Sequence, residues 1–176
     1  LLKVFNKKDL IFPTLSMVNS YDSSRKFSFI LGFQRMICTN SMMAPVADTA
    51  TELKFVHTPQ LGEETTFDEV MQMLSLFMAN ASELLDQYEE LAYQGVKNVE
   101  SRVEDVIEDT SFPSNLVEDV LYRIDQERLA LDMKDFNDWL VYCGFNYQLN
   151  HNTNFKAKDQ RKESIDREVF KYLTTY

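Results

Sequence analysis

Cys38, His57 and Asp22 have the residue types of a nucleophile, a base and an orienting acid. A thiol beside an imidazole that a carboxylate holds in place is the arrangement that activates cysteine for nucleophilic catalysis. The signal is weak, because any chain with two cysteines and two histidines offers such a combination. A buried free thiol and a strand-end histidine bonded to a backbone carbonyl explain the same residues. A second set, Glu83, Asp86 and Glu90, recurs at spacings of three and four, one face of a helix. Carboxylates so placed suit a hard cation. Yet Leu84, Leu85, Tyr88 and Leu91 make the complementary apolar face, and a solvated helix surface accounts for the acids without a metal. Four scattered glycines build no phosphate-cradling loop, there is no H-E-x-x-H, and two cysteines, Cys38 and Cys143, are too few for a zinc site. The reading is of a non-enzymatic chain with no metal and no cofactor.

A third set is basic and aromatic. In "SMVNSYDSSRKFSFILGFQRMICTN", residues 16–40, two β-favouring runs flank a polar tip, the pattern of a hairpin. Arg25 and Lys26 stand at the tip, Arg35 lies inside an apolar run, and Tyr21, Phe27, Phe29 and Phe33 interleave with them. Single-stranded nucleic acid is bound by such sets: bases stack on rings while cations neutralise phosphates. Arg25, Lys26, Arg35 and Lys54 are the candidate phosphate contacts, and Tyr21 and Phe29 the candidate stacking rings. The competing reading makes the aromatics a core under a helix and ties Arg35 to Asp22 or an asparagine. Asn19, Asp22 and Asn40 then cap turns, as short polar side chains do.

Charge is segregated along the chain. Residues 1–60 hold seven basic and four acidic residues, residues 61–133 four and eighteen, and residues 134–176 seven and six. The acidic middle repels a polyanion, so a nucleic acid would meet the N-terminal block or the tail. The same acids serve equally as the solvated face of helices, or as a docking face for a basic partner.

Placing these residues requires a sheet followed by helices. Residues 1–60 are β-rich, with strands at Leu15–Tyr21, Phe27–Phe33 and Leu53–His57, and Gly32 marks a bulge or a close backbone approach. Residues 66–94 read as one long helix with Thr66 and Glu69 as a capping box and Gly95 as its C-terminal stop. Further helices are expected over Val96–Glu108, Ser114–Leu131 and from about Lys134, the last carrying Phe136, Trp139, Leu140, Cys143 and Tyr147. Residues 150–164 read as a polar, basic loop before a short closing helix from Ile165. The expectation is one α+β domain over 1–176: a β-rich part (1–60), a helical part (66–150), and a basic loop with a terminal helix (151–176). The small twisted antiparallel sheet packs on the long helix. No run of eighteen apolar residues marks a membrane span, and residues 1–10 do not read as a signal peptide.

The segments "VNSYDSS…KFSFILGFQRMICTNSM" and "ELKFVHT" resemble the domain of unknown function family numbered nine-three-two, with its N-S-Y-D-G-S-like hairpin and R-x-x-C-x-N-G-like segment. The matching residues are Asn19, Ser20, Tyr21, Asp22, Ser23, Arg35, Cys38, Asn40 and His57, and Phe136–His151 is similar to a later family helix. Ser23 and Ser41 stand where the family pattern has glycine. The resemblance implies a phage or plasmid origin and an intracellular setting, here the host cytoplasm, and assigns no activity. A hairpin sheet backed by a long helix is also similar to the core of single-strand annealing proteins, an analogy of fold alone. The leading expectation is therefore a phage-type protein associated with single-stranded DNA, in binding or annealing, working as a homo-oligomer. The alternative is a module that binds a host or phage protein through its acidic helices.

Overall fold

The computed structural model describes residues 3–6, 9–18, 27–35, 41–42, 52–55 and 63–176. Strands β1 (Lys3–Asn6), β2 (Asp9–Val18), β3 (Phe27–Arg35), β4 (Ser41–Met42) and β5 (Glu52–Phe55) form one antiparallel sheet. β3 is its hub. β2 runs along one edge of β3 from Ile11↔Arg35 to Val18↔Ser28, while the other edge is shared by β4 at Phe33–Gln34 and β5 at Phe27–Ile30. β1 covers only the first residues of β2, from Lys3↔Ile11 to Asn6↔Asp9.

Several strands differ from expectation. β2 begins at Asp9, six residues before the alternating run at Leu15, because Asp9 and Pro13 interrupt the pattern that marks a strand. β1 occupies residues that read as mixed and charged. The β2–β3 ladder passes Gly32↔Thr14 in regular register, so Gly32 marks no bulge.

Helix α1 (Glu63–Tyr93) spans 31 residues, about 46 Å at the standard rise. It starts three residues before Thr66, which therefore lies inside the helix rather than capping it; Glu63 and Glu64 at its start are the residue types that the positive helix end favours. Met73, Phe77, Ala81, Leu84, Leu85, Tyr88 and Leu91 turn inward and are buried. The sheet meets this helix through the β3 row, with Phe33 and Phe77 ring centroids 5.3 Å apart.

Gly95 does not stop α1 in the left-handed conformation; no described glycine has a positive φ. The helix end is satisfied across the chain instead. Asn137 Nδ2 donates to Ala92 O at 2.8 Å, and Asp138 N donates to Gln94 O at 3.0 Å. Gly95–Val96 is a strand, β6, paired antiparallel with β7 (Phe136–Asn137) in a second, two-stranded sheet. Phe136 thus lies before helix α4 (Asp138–His151), not in it. Asn137 also caps α4, its Oδ1 accepting from Leu140 N at 3.0 Å.

Helix α2 (Val99–Asp109), capped by Asn98, starts three residues after the expected Val96, which lies in β6, and α3 (Val117–Ala130) is entered through a 3₁₀ turn at Ser114–Leu116. α3 ends in a Schellman motif with Asp132 at φ 59°: Met133 N donates to Arg128 O and Asp132 N to Leu129 O. α4 is buried on nearly every side from Asp138 to Leu149, the signature of a central helix. Gly144 lets α3 approach it; a Cβ there would stand 2.5 Å from Ile124 Cγ1 and 3.2 Å from Val120 O. α5 (Asp159–Thr175) starts six residues before Ile165, because its first turns hold only polar residues and apolar spacing cannot register them. The architecture is α+β, with the strands N-terminal and the C-terminal half helical. No helix among the described residues is long and apolar enough to cross a membrane.

Candidate functional site

The hairpin tip and its neighbours, with Asn19, Tyr21, Asp22, Arg25, Lys26, Cys38, Asn40 and His57, lie outside the described residues. Three sequence-predicted residues lie within them. Arg35 ends β3 opposite Ile11, Lys54 stands on β5 opposite Ser28, and Phe29 pairs with Met17 on one side and Leu53 on the other. Side chains alternate along a strand. Arg35 therefore falls in the β3 row of Phe29, Leu31 and Phe33, and Lys54 in the row of Ser28. The two cations sit on opposite rows of the sheet. Phe29 is half-buried and packs against the core, so only part of its ring is open to a ligand.

What holds this sheet to the helices is a buried aromatic box. Phe33 of β3, Tyr88 of α1, Trp139 and Tyr142 of α4, and Phe170 of α5 stack at ring-centroid distances of 4.8–5.8 Å. Two buried acids bracket it. Asp9, at the start of β2, accepts from Trp139 Nε1 at 2.8 Å, linking residues 130 apart in sequence. Asp166 of α5 accepts from Tyr142 Oη at 3.1 Å and from Asn146 Nδ2 at 2.9 Å. Burial pushes the Asp166 carboxyl up to about 6, against the pull of Asn146, Tyr142 and Arg167; nearby Glu163 adds to the rise. Burial likewise pushes the phenols of Tyr88 and Tyr142 up, with Asp166 adding to both. The Tyr88 hydroxyl is buried beside that of Tyr142. An acid that titrates near neutrality is what proton transfer needs. The box is closed by rings, however, and its hydrogen bonds are internal, so its chemistry is that of a seam. Sequence reasoning does not single out Asp9, Asp166, Tyr88 and Tyr142 as a set. One signal is present: Asp166 falls between Ile165 and Val169, on the inward face of its helix.

In the acidic middle of the chain, the three arginines are each held by an acid. Arg102 Nε and Nη2 meet the two Asp138 oxygens, both at 2.9 Å, in a bidentate pair that raises the guanidinium's already high affinity for its proton. Arg123 pairs with Glu127 and stacks 3.8 Å from the Tyr147 ring centroid, and Arg128 Nη2 pairs with Asp125 Oδ1 at 2.7 Å. Glu100, Glu104, Asp105, Glu108 and Asp109 face solvent on α2, as do Glu83, Asp86 and Glu90 on α1. No group of three His, Cys, Asp or Glu side chains among the described residues is placed to hold a metal ion. A shallow hollow of about 470 Å³ opens beside the end of α1, lined by Lys97, Asn98, Arg102, Asp105, Asp138 and Tyr176 among others. Its arginine is bound to Asp138 and its rim carries Asp105, so it does not favour an anion.

Comparison with known proteins adds one match. No curated protein and no solved structure matches the chain. The model of the family described as "Domain of unknown function (DUF932)" matches residues 2–169. With nearly its whole length matched, the chain belongs to the DUF932 family.

Proposed function

We propose that this DUF932 protein is a non-enzymatic, phage-type protein that binds single-stranded DNA through its N-terminal sheet, in annealing during recombination or replication. Arg25, Lys26, Arg35 and Lys54 contact phosphates, and Tyr21, with the open part of Phe29, stacks bases. The observation that carries this reading is the state of the cations. The arginines of the helical middle are all engaged with acids, and the α2 surface is acidic. The N-terminal block, with seven basic against four acidic residues, has a larger basic excess than the tail, with seven against six, and favours a polyanion more. Arg35 and Lys54 on opposite rows then follow a strand that wraps the sheet edge rather than one that lies flat on it.

Titration of labelled single-stranded DNA at two salt concentrations tests this. Binding is expected at low salt and weaker at high salt, with each phosphate-contacting cation adding about 0.7 to the slope of log K against log salt. Replacing Arg25 and Lys26 by Ala should flatten that slope. Absence of binding at low salt, or binding indifferent to salt, overturns the proposal.

The exposed acids of α2 favour a second reading, a module that engages a basic host or phage protein. Charge reversal at Glu100, Glu104 and Asp105 then abolishes capture of that protein and leaves DNA behaviour unchanged.

A further inference from the structure

β2 has an uneven pair of edges. On one side β3 pairs with it from Ile11 to Val18. On the other side, among the described residues, β1 reaches only Asp9 to Ile11. From Thr14 to Val18 the outer edge meets no described strand. Edge strands are ordinarily protected by charge, by Pro or by brevity. Residues 10–18 carry no charged side chain, and the single proline, Pro13, stands before this stretch.

The side chains along this edge are apolar and open. Leu15 pairs with Leu31 and Met17 with Phe29, so both belong to the row that packs on α1. Leu31 is 2% exposed, whereas Leu15 is 45% and Met17 67% exposed. The row passes from core to solvent within one strand spacing.

We propose that β2 pairs antiparallel with β2 of a second copy, about a twofold axis at Ser16, joining the two sheets into one. A perpendicular twofold requires facing residues to share a row, which restricts the axis to pass through a residue. An axis at Ser16 sets Leu15 opposite the second copy's Met17, and Met17 opposite its Leu15, with Thr14 opposite Val18. An axis at Leu15 would bring Pro13, which has no amide hydrogen, into the ladder. An axis at Met17 would set Leu15 against polar Asn19. Only the Ser16 register gives both open apolar side chains an apolar neighbour and leaves Pro13 outside.

A second copy fits this edge better than a free peptide strand does. A stable interface covers roughly 800 Å² on each partner, more than a five-residue strand edge supplies. Helix α1 covers the same side of the sheet, and its Phe67, Met71 and Met78 are exposed on one stripe that continues its buried face. A copy brought up to β2 carries its own α1 to the same side of the joined sheet, where these apolar side chains are available to widen the contact. A peptide strand would leave them in water.

The test is the mass of the full chain in solution without DNA, by light scattering across a concentration series. The chain is expected as a dimer, or as an assembly whose mass falls to half or less in the variants. Leu15→Lys and Met17→Glu should each raise the dissociation constant at least tenfold, with the fold checked by circular dichroism. Mixing the two variants should restore the dimer, because the introduced lysine of one copy then faces the introduced glutamate of the other across the axis. A chain monomeric at every concentration, variants that keep the wild-type mass, or a mixture that fails to reassemble overturns the proposal. The measurement contains no nucleic acid, so its failure is separate from failure of DNA binding.

Discussion

The sheet and the helical half of this molecule bury their residues in different ways. In the sheet, Leu31 and Phe33 of β3 sit under α1 while Leu15 and Met17, on the same row one strand away, emerge into solvent. In the helical half, α4 is covered on nearly every side, and polar groups inside it are matched: Asn146 to Asp166, Gln148 to Asp119 O, Asp138 to Arg102. A sheet row that opens to solvent within one strand leaves apolar side chains uncovered, while a fully wrapped helix engages its polar groups internally. Under the proposed function, recognition falls to the sheet and rigidity to the helices, with the aromatic box as the joint between them.

The largest expected effect comes from breaking that joint. Trp139→Ala removes an indole that contacts Tyr88 and Tyr142 and donates to Asp9, and should cost about 3–5 kcal/mol in urea unfolding. Amide exchange in β2 and β3 should rise before exchange in α3 and α4. Equal loosening of both halves would show that the joint holds more than the sheet.

The next effect is one of pH. The Asp166 carboxyl, at about 6 in the fold against an ordinary 3.8, binds its proton more tightly folded than unfolded. Its contribution is therefore full below about pH 4 and is lost as pH rises through about 6, about 3 kcal/mol in all. Asp166→Asn should remove that loss, read as the difference between the two proteins' urea midpoints at pH 4 and pH 7. A constant difference across this range would mean that Asp166 titrates normally.

A smaller effect tests how tightly the helical half is fitted. Gly144→Ala puts a methyl 2.5 Å from Ile124 Cγ1 and should cost about 1–3 kcal/mol, because α3 must move away. Leu15→Met, an exchange of similar volume on the open row of the sheet, should stay within about 0.5 kcal/mol of the parent. A comparable cost at both positions would erase the distinction between the two halves. Opposite in sign, Asp132→Gly should raise stability by about 1 kcal/mol, since glycine takes the left-handed conformation without steric cost. A lowered thermal midpoint would show that the Asp132 side chain contributes more than its backbone conformation costs.

Much of the helical half is legible in the sequence because its apolar residues recur at three and four. The buried positions Phe77, Ala81, Leu84, Leu85, Tyr88 and Leu91 of α1 follow from that spacing, whereas Met71 and Met78 of the same series are exposed, and α2 and α3 each begin three residues later than the spacing suggests. α4 is legible in place but not in role. A stripe of Phe136, Trp139, Leu140, Cys143 and Tyr147 suggests one buried face, whereas Val141, Tyr142, Phe145 and Leu149 are buried as well. A helix wrapped on all sides has no polar face to reveal its period. The β6–β7 pair is illegible because two residues cannot show a period of two, and so Gly95 reads as an ordinary helix stop. The box acids are illegible for another reason: the Asp9–Trp139 bond joins residues 130 apart, and no local pattern encodes a partner at that distance. For the candidate DNA contacts, the described structure reaches Phe29, Arg35 and Lys54, and separates the last two by row.

The same Asp9–Trp139 bond has a consequence in the timing of synthesis. At translation rates of about 5–20 residues per second, on the order of 7–26 s separate the appearance of Asp9 from that of Trp139. Through that interval β2 and β3 can form their hairpin, but the box that locks them does not yet exist. An uncharged strand edge waits in the open while its anchor is still being made. On a polysome, where nascent copies stand side by side, the first partner such an edge meets is its own sequence.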